Sequence, residues 1–271
     1  MKHLLEDWKN VQERIQQAQI LCLFLDYDGT LTPIVSRPEL ALCPQEVRLL
    51  LEKLRDLPNV YPAIISGRFL EDIREKVGVS GITYVGNHGL SIQNPVGVHK
   101  KKLSATRRKE FDILSLALKE SLGQIPGILF EDKGLILAVH YRNVAKEYFA
   151  RIHNTLEETL KKWKERWKIA HGKMVYEVRP NVDFNKGKAV RDILISFPSF
   201  GLLSIYLGDD LTDEDAFRAL KGRGITVFVG PGWLNSEAGY YLKDPGEVQE
   251  FLRRCEENRR KCGHRLKTLE K

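Results

Sequence analysis

Short apolar runs alternate with amphipathic segments over the first hundred residues of the chain. Apolar runs at 21–25, 61–65 and 82–85 predict β-strands, and segments 44–55 and 70–77 have the spacing of amphipathic helices. A strand–helix–strand rhythm is typical of a parallel sheet. The continuous apolar character of the first run indicates a strand that is buried on both faces.

The same rhythm returns in the last ninety residues. The predicted elements are a helix after Lys188, a strand at 202–207, a helix at 213–221 and a strand at 225–229. Thr212 and Asp215 have the spacing of a capping box, which predicts the start of the helix at 213–221.

The middle of the chain has a different pattern. A helix at 104–122 is followed by two strands at 128–130 and 135–141, a long helix whose apolar positions run from Tyr148 to Trp167, and a strand at 174–178. Such a segment inside an α/β pattern predicts an inserted α+β cap domain. We place the cap at 103–178 and form the core from 1–102 and 179–271.

Composition and charge narrow the class of protein. The 271 residues are 42% hydrophobic, enough for a sizeable core. We expect no membrane span, because no run of about 18 apolar residues occurs, and the charged amphipathic N-terminus is unlike a signal peptide. The four cysteines have no metal-ligand spacing, so we expect a cytoplasmic protein without structural disulfides.

The formal net charge of +7 raises the question of nucleic acid. The basic clusters lie on separate segments and alternate with glutamates, which favours solvated helix faces over a nucleic-acid surface. We therefore expect no nucleic-acid partner, and a mildly positive field would favour an anionic substrate.

Candidate chemistry begins where the first strand ends. The apolar run stops at Asp26, and Asp28 and Gly29 follow. Ligand sites of parallel sheets lie at the carboxyl ends of the strands. Two neighbouring carboxylates repel each other, and a divalent cation is the simplest remedy. By itself the pattern also fits an ordinary acidic turn.

Three further segments strengthen the catalytic interpretation. Ser66 ends a second apolar run, Lys186 lies in the segment NKGK with Lys188 as the alternative lysine, and Asp209 and Asp210 follow a third apolar run. In this order the segments resemble the four motifs of the haloacid dehalogenase superfamily of phosphoryl-transfer enzymes. The resemblance implies a Rossmann-like parallel-sheet core of that type.

The residues suggest distinct roles in phosphoryl transfer. A carboxylate such as Asp26 can attack phosphorus and form an aspartyl-phosphate, while Asp28 would act as general acid and then as general base. Ser66 would donate a hydrogen bond to the phosphate, and Lys186 would neutralise charge. We prefer Lys186 to Lys188 because the superfamily tends to place its lysine directly before a glycine.

The metal that fits these residues is Mg²⁺, which favours oxygen ligands. Asp26, the backbone carbonyl of Asp28 and Asp209 would supply the ligands. Asp210 is expected to act through water or to hold Lys186. Asp213 either joins the site or is only a favourable acid in the first turn of a helix. Nothing in the sequence supports zinc, iron or a nucleotide cofactor.

A narrower resemblance involves longer blocks on both sides of the cap. The segments DYDGTLTPI, ISGR, GNHG, EVRPN followed by NKGKA, and GDDLTDEDAF resemble the trehalose-6-phosphate phosphatases. The resemblance implies a sugar-phosphate substrate, trehalose and phosphate as products, and a trehalose-phosphate synthase as a potential partner. It also places Arg68, Asn87 and His88 near the substrate. One departure is Ser91, where the family often has an acidic residue.

The predicted cap contains charged residues at strand ends that would bind the sugar. They are Glu131, Lys133, Arg142, Glu177 and Arg179. The resemblance associates the Glu-x-Lys pair and the Glu-x-Arg-Pro segment with substrate binding. The alternative is a strand edge that charge protects from pairing. His140 is expected to be a packed or solvent-facing strand residue.

Several other functions share these motifs. They are a phosphatase for another sugar phosphate, such as sucrose-phosphate or mannosyl-phosphoglycerate, a phosphomutase, and a non-catalytic sugar-phosphate sensor. Retention of Asp26, Asp28, Lys186 and Asp209 favours an enzyme over a sensor. The sequence makes no prediction of oligomeric state.

Overall fold

The computed structural model describes residues 1–95, 97–100, 105–132, 136–172, 174–181, 184–231 and 235–269. The chain divides into two compact units, one formed by Met1–Lys100 with Phe184–Lys271 and the other by Lys101–Asp183. The predicted cap at 103–178 ends within the last strand of the second unit, which continues to Pro180. That strand pairs with the neighbouring strand Trp167–Gly172 over its whole length, so the second unit extends beyond residue 178.

The first unit begins with a strand–helix alternation. Its elements up to residue 100 are β1 (Lys2–His3), α1 (Trp8–Gln17), β2 (Ile20–Leu25), α2 (Gln45–Arg55), β3 (Val60–Ile65), α3 (Leu70–Val77), β4 (Thr83–Gly86), β5 (Ser91–Asn94) and β6 (Gly97–Lys100). The predicted strands and helices of this part are confirmed, with ends shifted by a residue or two. The β5–β6 hairpin is not among the predicted elements.

Over its described residues, the second unit contains two α-helices and four strands. They are α4 (Ala105–Leu122), β7 (Leu129–Asp132), β8 (Leu137–His140), α5 (Phe149–Leu160), β9 (Trp167–Gly172) and β10 (Val175–Pro180). The chain then returns to the first unit with α6 (Lys186–Leu194), β11 (Leu202–Gly208), α7 (Glu214–Leu220), β12 (Ile225–Val229), β13 (Tyr240–Leu242) and α8 (Pro245–Leu269).

The described part of the first unit contains a nine-stranded sheet in the order β1-β13-β12-β11-β2-β3-β4-β5-β6. Along this order, every neighbouring pair from β1 through β13, β12, β11, β2 and β3 to β4 is parallel. At the other edge, the pairs β4–β5 and β5–β6 are antiparallel. Strands β2 and β11 are central neighbours, with Leu25 opposite Leu207. Their carboxyl ends therefore meet at the same edge of the sheet.

Helices cover both faces of this sheet, as the apolar first run predicts. Alternate residues of β2 enter different cores: Leu23 packs with residues of α1, α2, α3 and α8, whereas Phe24 packs with residues of α6 and α7. Cys22 lies in the second core and is 1% exposed. A strand with both faces covered gains burial from every residue, which explains its unbroken apolar sequence.

The second unit is an antiparallel sheet in the order β7-β8-β10-β9, with α4 and α5 packed on one face. The predicted long helix that ends at Trp167 is wrong. Helix α5 ends at Leu160, a single 3-10 turn follows at Lys161–Trp163, and Trp167 begins β9. The indole of Trp167 is fully buried, and its Nε1 donates a hydrogen bond to Glu110 of α4 at 3.0 Å.

Within the described residues, no helix combines the length and the apolar content that crossing a membrane requires.

Candidate active site

Three segments of the first unit converge beyond the carboxyl ends of β2 and β11. Asp26 follows β2, and its backbone N–H donates to the carbonyl of Leu207 in β11 at 3.0 Å. Asp209 follows β11 directly, and Lys186 is the first residue of α6. Asp26, Asp209 and Lys186 are all buried, at 4%, 6% and 3% exposed. Parallel pairing of adjacent strands therefore brings distant sequence motifs into one small polar cluster.

Lys186 is held between two carboxylates. Its Nζ donates to Oδ1 of Asp26 and to Oδ1 of Asp213, each at 2.7 Å. The glycine that follows, Gly187, allows the start of α6 to pack closely against α7. A Cβ at this position would be 2.1 Å from the backbone oxygen of Asp215 in α7. Of the two lysines considered from the sequence, Lys186 contacts Asp26. The backbone N–H of Lys188 donates to the side chain of Asn185 at the start of α6.

Asp213 is the most deeply buried acid of the cluster, at 0% exposed. Its Oδ1 accepts hydrogen bonds from Lys186 and from the hydroxyl of Tyr206, the latter at 2.6 Å. Its Oδ2 accepts from the backbone N–H groups of Asp209 and Asp210 at 3.2 and 3.0 Å. Four donors thus fix one carboxylate. Asp213 is therefore both an acid in the first helical turn and a partner of Lys186, and its part in catalysis stays a prediction.

Asp210 has a different position from the one expected. Its Oδ1 accepts from the N–H of Leu211 at 2.7 Å, and with Asp213 it forms the capping box of the 3-10 turn that precedes α7. The expectation that Asp210 holds Lys186 is wrong, since Asp213 does so. The capping box predicted from Thr212 and Asp215 is also wrong, because the chain turns immediately after Asp210.

Burial and charge act together on the ionisable groups. Burial raises the pKa of Asp26 well above its ordinary value, a shift that Lys186 opposes and the carboxylates of Asp213 and Asp209 reinforce. Burial by itself would lower the pKa of Lys186, but Asp213 and Asp26 raise it above its ordinary value. Burial also raises the pKa of Tyr206, and Asp213 adds to the shift, so the phenol stays protonated and donates.

The donor set fits a divalent cation. Carboxylate oxygens of Asp26, Asp209 and Asp213 all lie within 4.8 Å of one another. With all three carboxylates ionised, one ammonium group would leave the cluster with a surplus of negative charge. A hard cation with oxygen ligands would offset that surplus. Asp210, also considered for the metal site, is not a member of this cluster of side-chain oxygens. The ligand expected from Asp28 is its backbone carbonyl, which stays a prediction.

Gly29 explains how the turn after β2 reaches the acids of β11. Its φ is +91°, which favours glycine, and a Cβ there would lie only 2.1 Å from Oδ2 of Asp209. The backbone of the first motif therefore passes directly against the carboxylate of the last motif. Any larger residue at position 29 would have to displace Asp209.

Asp28 lies in an ion pair. The Nε of Arg68 donates to its Oδ2 and the Nη2 to its Oδ1, both at 2.6 Å, and Nη1 of Arg68 donates to Asp72 at 3.0 Å. The guanidinium also lies over the ring of Tyr27, 5.5 Å from its centroid. The side chain of Asp28 is 41% exposed, in contrast to the buried Asp26, Asp209 and Asp213. A bidentate pair of this kind orients the carboxylate.

Ser66 follows β3, and Asn87 and His88 follow β4, at the same edge of the sheet. Ser66 is 1% exposed, and its Oγ accepts from the N–H of Arg68 at 3.1 Å. Its carbonyl accepts from the N–H of His88 at 3.0 Å. Asn87 and His88 are buried and have φ values of 51° and 55°. Two consecutive left-handed residues are costly, and such strain is often found at functional sites.

The second unit holds the residues expected to bind the sugar. Glu131 of β7 and Glu177 of β10 both pair with Ala138 of β8, so their side chains lie on the same face of the sheet. Glu177 is buried, Arg179 is half-buried, and Arg142 is exposed. Lys133, also expected to bind substrate, lies outside the described residues.

Two residues of this cluster, Asp213 and Tyr206, were not assigned to the site from the sequence. Asp213 was left undecided between two interpretations, although its spacing of four from Asp209 brings it back over the strand end. Tyr206 received no role. A tyrosine in an apolar strand has a hydroxyl that needs a partner when it is buried, and this was the available signal.

Comparisons with known proteins agree with the architecture. The family model for trehalose-phosphatase matches residues 24–246. The probable trehalose-phosphate phosphatase 2 of Oryza sativa subsp. japonica is 38% identical over 267 residues, a match that covers 89% of this chain and 69% of the rice protein.

Solved structures are similar over almost the whole chain. The C-terminal domain of a Candida albicans trehalose-6-phosphate phosphatase aligns with a TM-score of 0.75 at 25% identity, covering 92% of this chain and 96% of that domain. A trehalose-6-phosphate phosphatase of Aspergillus fumigatus aligns with a TM-score of 0.68 at 28% identity, covering 95% and 99% of the two chains. The expected α/β fold of the haloacid dehalogenase type is confirmed.

Proposed function

The chain belongs to the trehalose-phosphatase family, and we propose that it hydrolyses trehalose 6-phosphate to trehalose and inorganic phosphate with the help of Mg²⁺. The observation that carries the proposal is the buried cluster in which Lys186 joins Asp26 to Asp213 beside Asp209. A buried cation between carboxylates at a strand end suits the charge neutralisation that phosphoryl transfer requires.

Asp26 is the proposed nucleophile. Its carboxylate attacks the phosphorus, the bond from phosphorus to the sugar oxygen breaks, and an aspartyl-phosphate remains. A proton from Asp28 goes to the departing sugar oxygen. Asp28, now a carboxylate, then removes a proton from water, and the resulting hydroxide attacks the phosphorus to release phosphate and regenerate Asp26. Atoms and protons balance over the two steps.

Lys186 is proposed to keep Asp26 in its reactive form. Because Lys186 retains its charge between two carboxylates, it counteracts the effect of burial on the pKa of Asp26. Asp213 holds the ammonium group from the other side, and the hydroxyl of Tyr206 in turn donates to Asp213. Asp26, Asp209 and Asp213 would hold Mg²⁺, which would supply positive charge to offset the charge of the phosphoryl group.

Arg68 is proposed to alternate between two anions. In the structure it binds both oxygens of Asp28, an arrangement in which the carboxylate accepts hydrogen bonds and carries no proton to give. A phosphate group is a stronger competitor for a guanidinium, since it offers more oxygens and more charge. Arrival of the substrate would therefore draw Arg68 to the phosphate. The freed carboxylate of Asp28 would take up a proton from solvent, which it then gives to the sugar oxygen.

The second unit is proposed to recognise the sugar. Glu131 and Glu177 lie on either side of Ala138 on one face of its sheet, and carboxylates in such positions can each accept hydrogen bonds from hydroxyl groups. Arg142, Arg179 and Lys133 belong to the same proposal.

The test is phosphate release from a panel of sugar phosphates with and without Mg²⁺. We expect trehalose 6-phosphate to give the highest specificity constant, ahead of sucrose 6-phosphate and mannosyl-phosphoglycerate. A clear preference for either of the other substrates would replace the proposed substrate. Absence of phosphate release from every compound, with bound Mg²⁺ demonstrated, would favour a sensor over an enzyme.

The role of the second unit is tested with Glu131→Ala and Lys133→Ala. Hydrogen bonds to charged groups are worth about 1.5–3 kcal/mol, so each change should lower the specificity constant for trehalose 6-phosphate by roughly tenfold to a hundredfold. The ratio of this constant to that for p-nitrophenyl phosphate should fall by a similar factor. Equal losses on both substrates would mean that these residues do not recognise the sugar.

A further inference from the structure

A histidine lies beside one of the carboxylates proposed to bind the sugar. Nε2 of His140 is 2.9 Å from Oε2 of Glu131, and the two side chains are 25% and 33% exposed. A carboxylate only accepts hydrogen bonds, so the tautomer with hydrogen on Nε2 donates the hydrogen bond to Glu131. The sequence had suggested no partner for His140, and the structure gives it one.

The strand register explains why the two side chains meet. Ala138 of β8 pairs with Glu131 of β7 on one side and with Glu177 of β10 on the other. His140 is two residues further along β8, so its side chain lies on the same face. It is therefore a diagonal neighbour of Glu131, a separation that long and aromatic side chains bridge.

The opposite face of the same sheet is the core of the second unit. Leu137 and Val139 of β8 and Val178 of β10 are buried there with residues of α4 and α5. His140 thus belongs to the polar face and adds nothing to that apolar core. Its contact with Glu131 is partly shielded from solvent, where hydrogen bonds to charged groups are less weakened by screening.

We infer that His140 is a positioning residue for sugar recognition, because its Nε2–H holds the carboxylate of Glu131 in one orientation. The inference rests on the proposed function, which assigns Glu131 to the sugar. A free glutamate loses rotamer freedom when it binds a ligand, whereas a side chain already held in place has lost that freedom on folding. Binding then costs less, which is the benefit of preorganisation.

This role predicts a particular kinetic signature. His140 acts through Glu131 on the sugar and takes no part in the chemistry at phosphorus. Loss of its hydrogen bond should therefore weaken binding of the ground state and the transition state equally, which raises KM and leaves kcat nearly constant. A residue needed for the chemical step would lower kcat.

The experiment compares His140→Leu with His140→Gln in the full-length chain. Leucine removes the donor, whereas the amide nitrogen of glutamine can replace Nε2. We expect His140→Leu to lower the specificity constant for trehalose 6-phosphate by about tenfold, near the lower end of the loss for a hydrogen bond to a charged group. His140→Gln should recover most of it. The control is His171→Leu in β9, which pairs with Tyr176 on the opposite face and should stay within twofold.

A double-mutant cycle with Glu131→Ala separates positioning from packing. If His140 acts only through Glu131, adding His140→Leu to the Glu131→Ala variant should change the specificity constant by less than twofold. The same tenfold loss in both backgrounds would overturn the inference, and so would failure of His140→Gln to improve on His140→Leu. These two results remain informative even if the leucine variant is less stable.

The wild-type substrate panel keeps this inference distinct from the proposed function. If the wild-type protein prefers another sugar phosphate, the proposed substrate is wrong. The double-mutant cycle of His140→Leu and Glu131→Ala is then measured with the preferred compound, and the same criteria apply. If no sugar phosphate is hydrolysed better than p-nitrophenyl phosphate, both proposals are overturned. A preference for trehalose 6-phosphate with an additive cycle overturns the inference alone.

Discussion

Asp213 offers the sharpest test of the proposed chemistry, through the substitution Asp213→Asn. The amide has the shape of the carboxylate but only one accepting oxygen. In the structure both oxygens of Asp213 face donors, with Lys186 and Tyr206 on Oδ1 and two backbone N–H groups on Oδ2. Whichever way the amide is turned, its NH₂ group faces two donors.

The magnitude follows from the hydrogen bonds that are lost. Two hydrogen bonds to a charged group, at about 1.5–3 kcal/mol each, amount to about 3–6 kcal/mol. If this energy serves to hold Lys186 for the transition state, the specificity constant falls at least about a hundredfold, since about 1.4 kcal/mol corresponds to a factor of ten in rate. Thermal stability is a poorer measure, because removing one of three clustered carboxylates also relieves repulsion.

The assay is phosphate release from trehalose 6-phosphate at saturating Mg²⁺, with circular dichroism as the check on folding. The matched control is Asp215→Asn, two residues further on, whose carboxylate forms a surface ion pair with Arg218 at 2.7 Å. Exposed pairs of this kind contribute about 0–1 kcal/mol, so the control should remain within a few-fold of wild type. A folded Asp213→Asn protein with activity within threefold of wild type would refute the reasoning.

Three further outcomes are expected at the same site. Removal of divalent cations with EDTA should abolish activity and lower the melting temperature. Mg²⁺ at about a hundred times its Kd should then raise the free energy of unfolding by about 2.7 kcal/mol. Full activity in metal-free buffer would contradict the metal assignment. Asp26→Asn should give no measurable turnover and no phosphorylated protein while circular dichroism remains native. Gly29→Ala should impair both folding stability and activity, because its Cβ would lie 2.1 Å from Asp209; a fully active alanine variant would show that the turn can relax.

The parallel core could be predicted because its sequence pattern has a single physical cause. Residues of β2 point alternately into two apolar cores, so every position from 21 to 25 must be apolar. The run can end only where the chain leaves the sheet. The first polar residue after it, Asp26, therefore marks both the strand end and the site. The same reasoning located Ser66 and Asp209.

The second unit was harder to predict because two kinds of element share its composition. The positions of Trp163 and Trp167 fit the apolar stripe of α5, yet the helix ends at Leu160. Periodicity records which residues are buried and does not record which element buries them. The buried indole of Trp167 is fixed by Glu110, 57 positions earlier in the chain, and such a contact has no local sequence signal.

The distribution of roles among the acids in GDDLTDED depends on the turn and cannot be read from composition. Asp209, Asp210 and Asp213 are all aspartates, and the sequence suggested that Asp210 acts through water or holds Lys186. The chain enters a 3-10 turn immediately after Asp210, which directs the carboxylate of Asp210 to the N–H of Leu211. The same turn brings Asp213 back over the strand end, where backbone N–H groups and Lys186 meet it. One turn of backbone thus decides which acid caps a helix and which acid holds the lysine, and Asp213→Asn tests that decision directly.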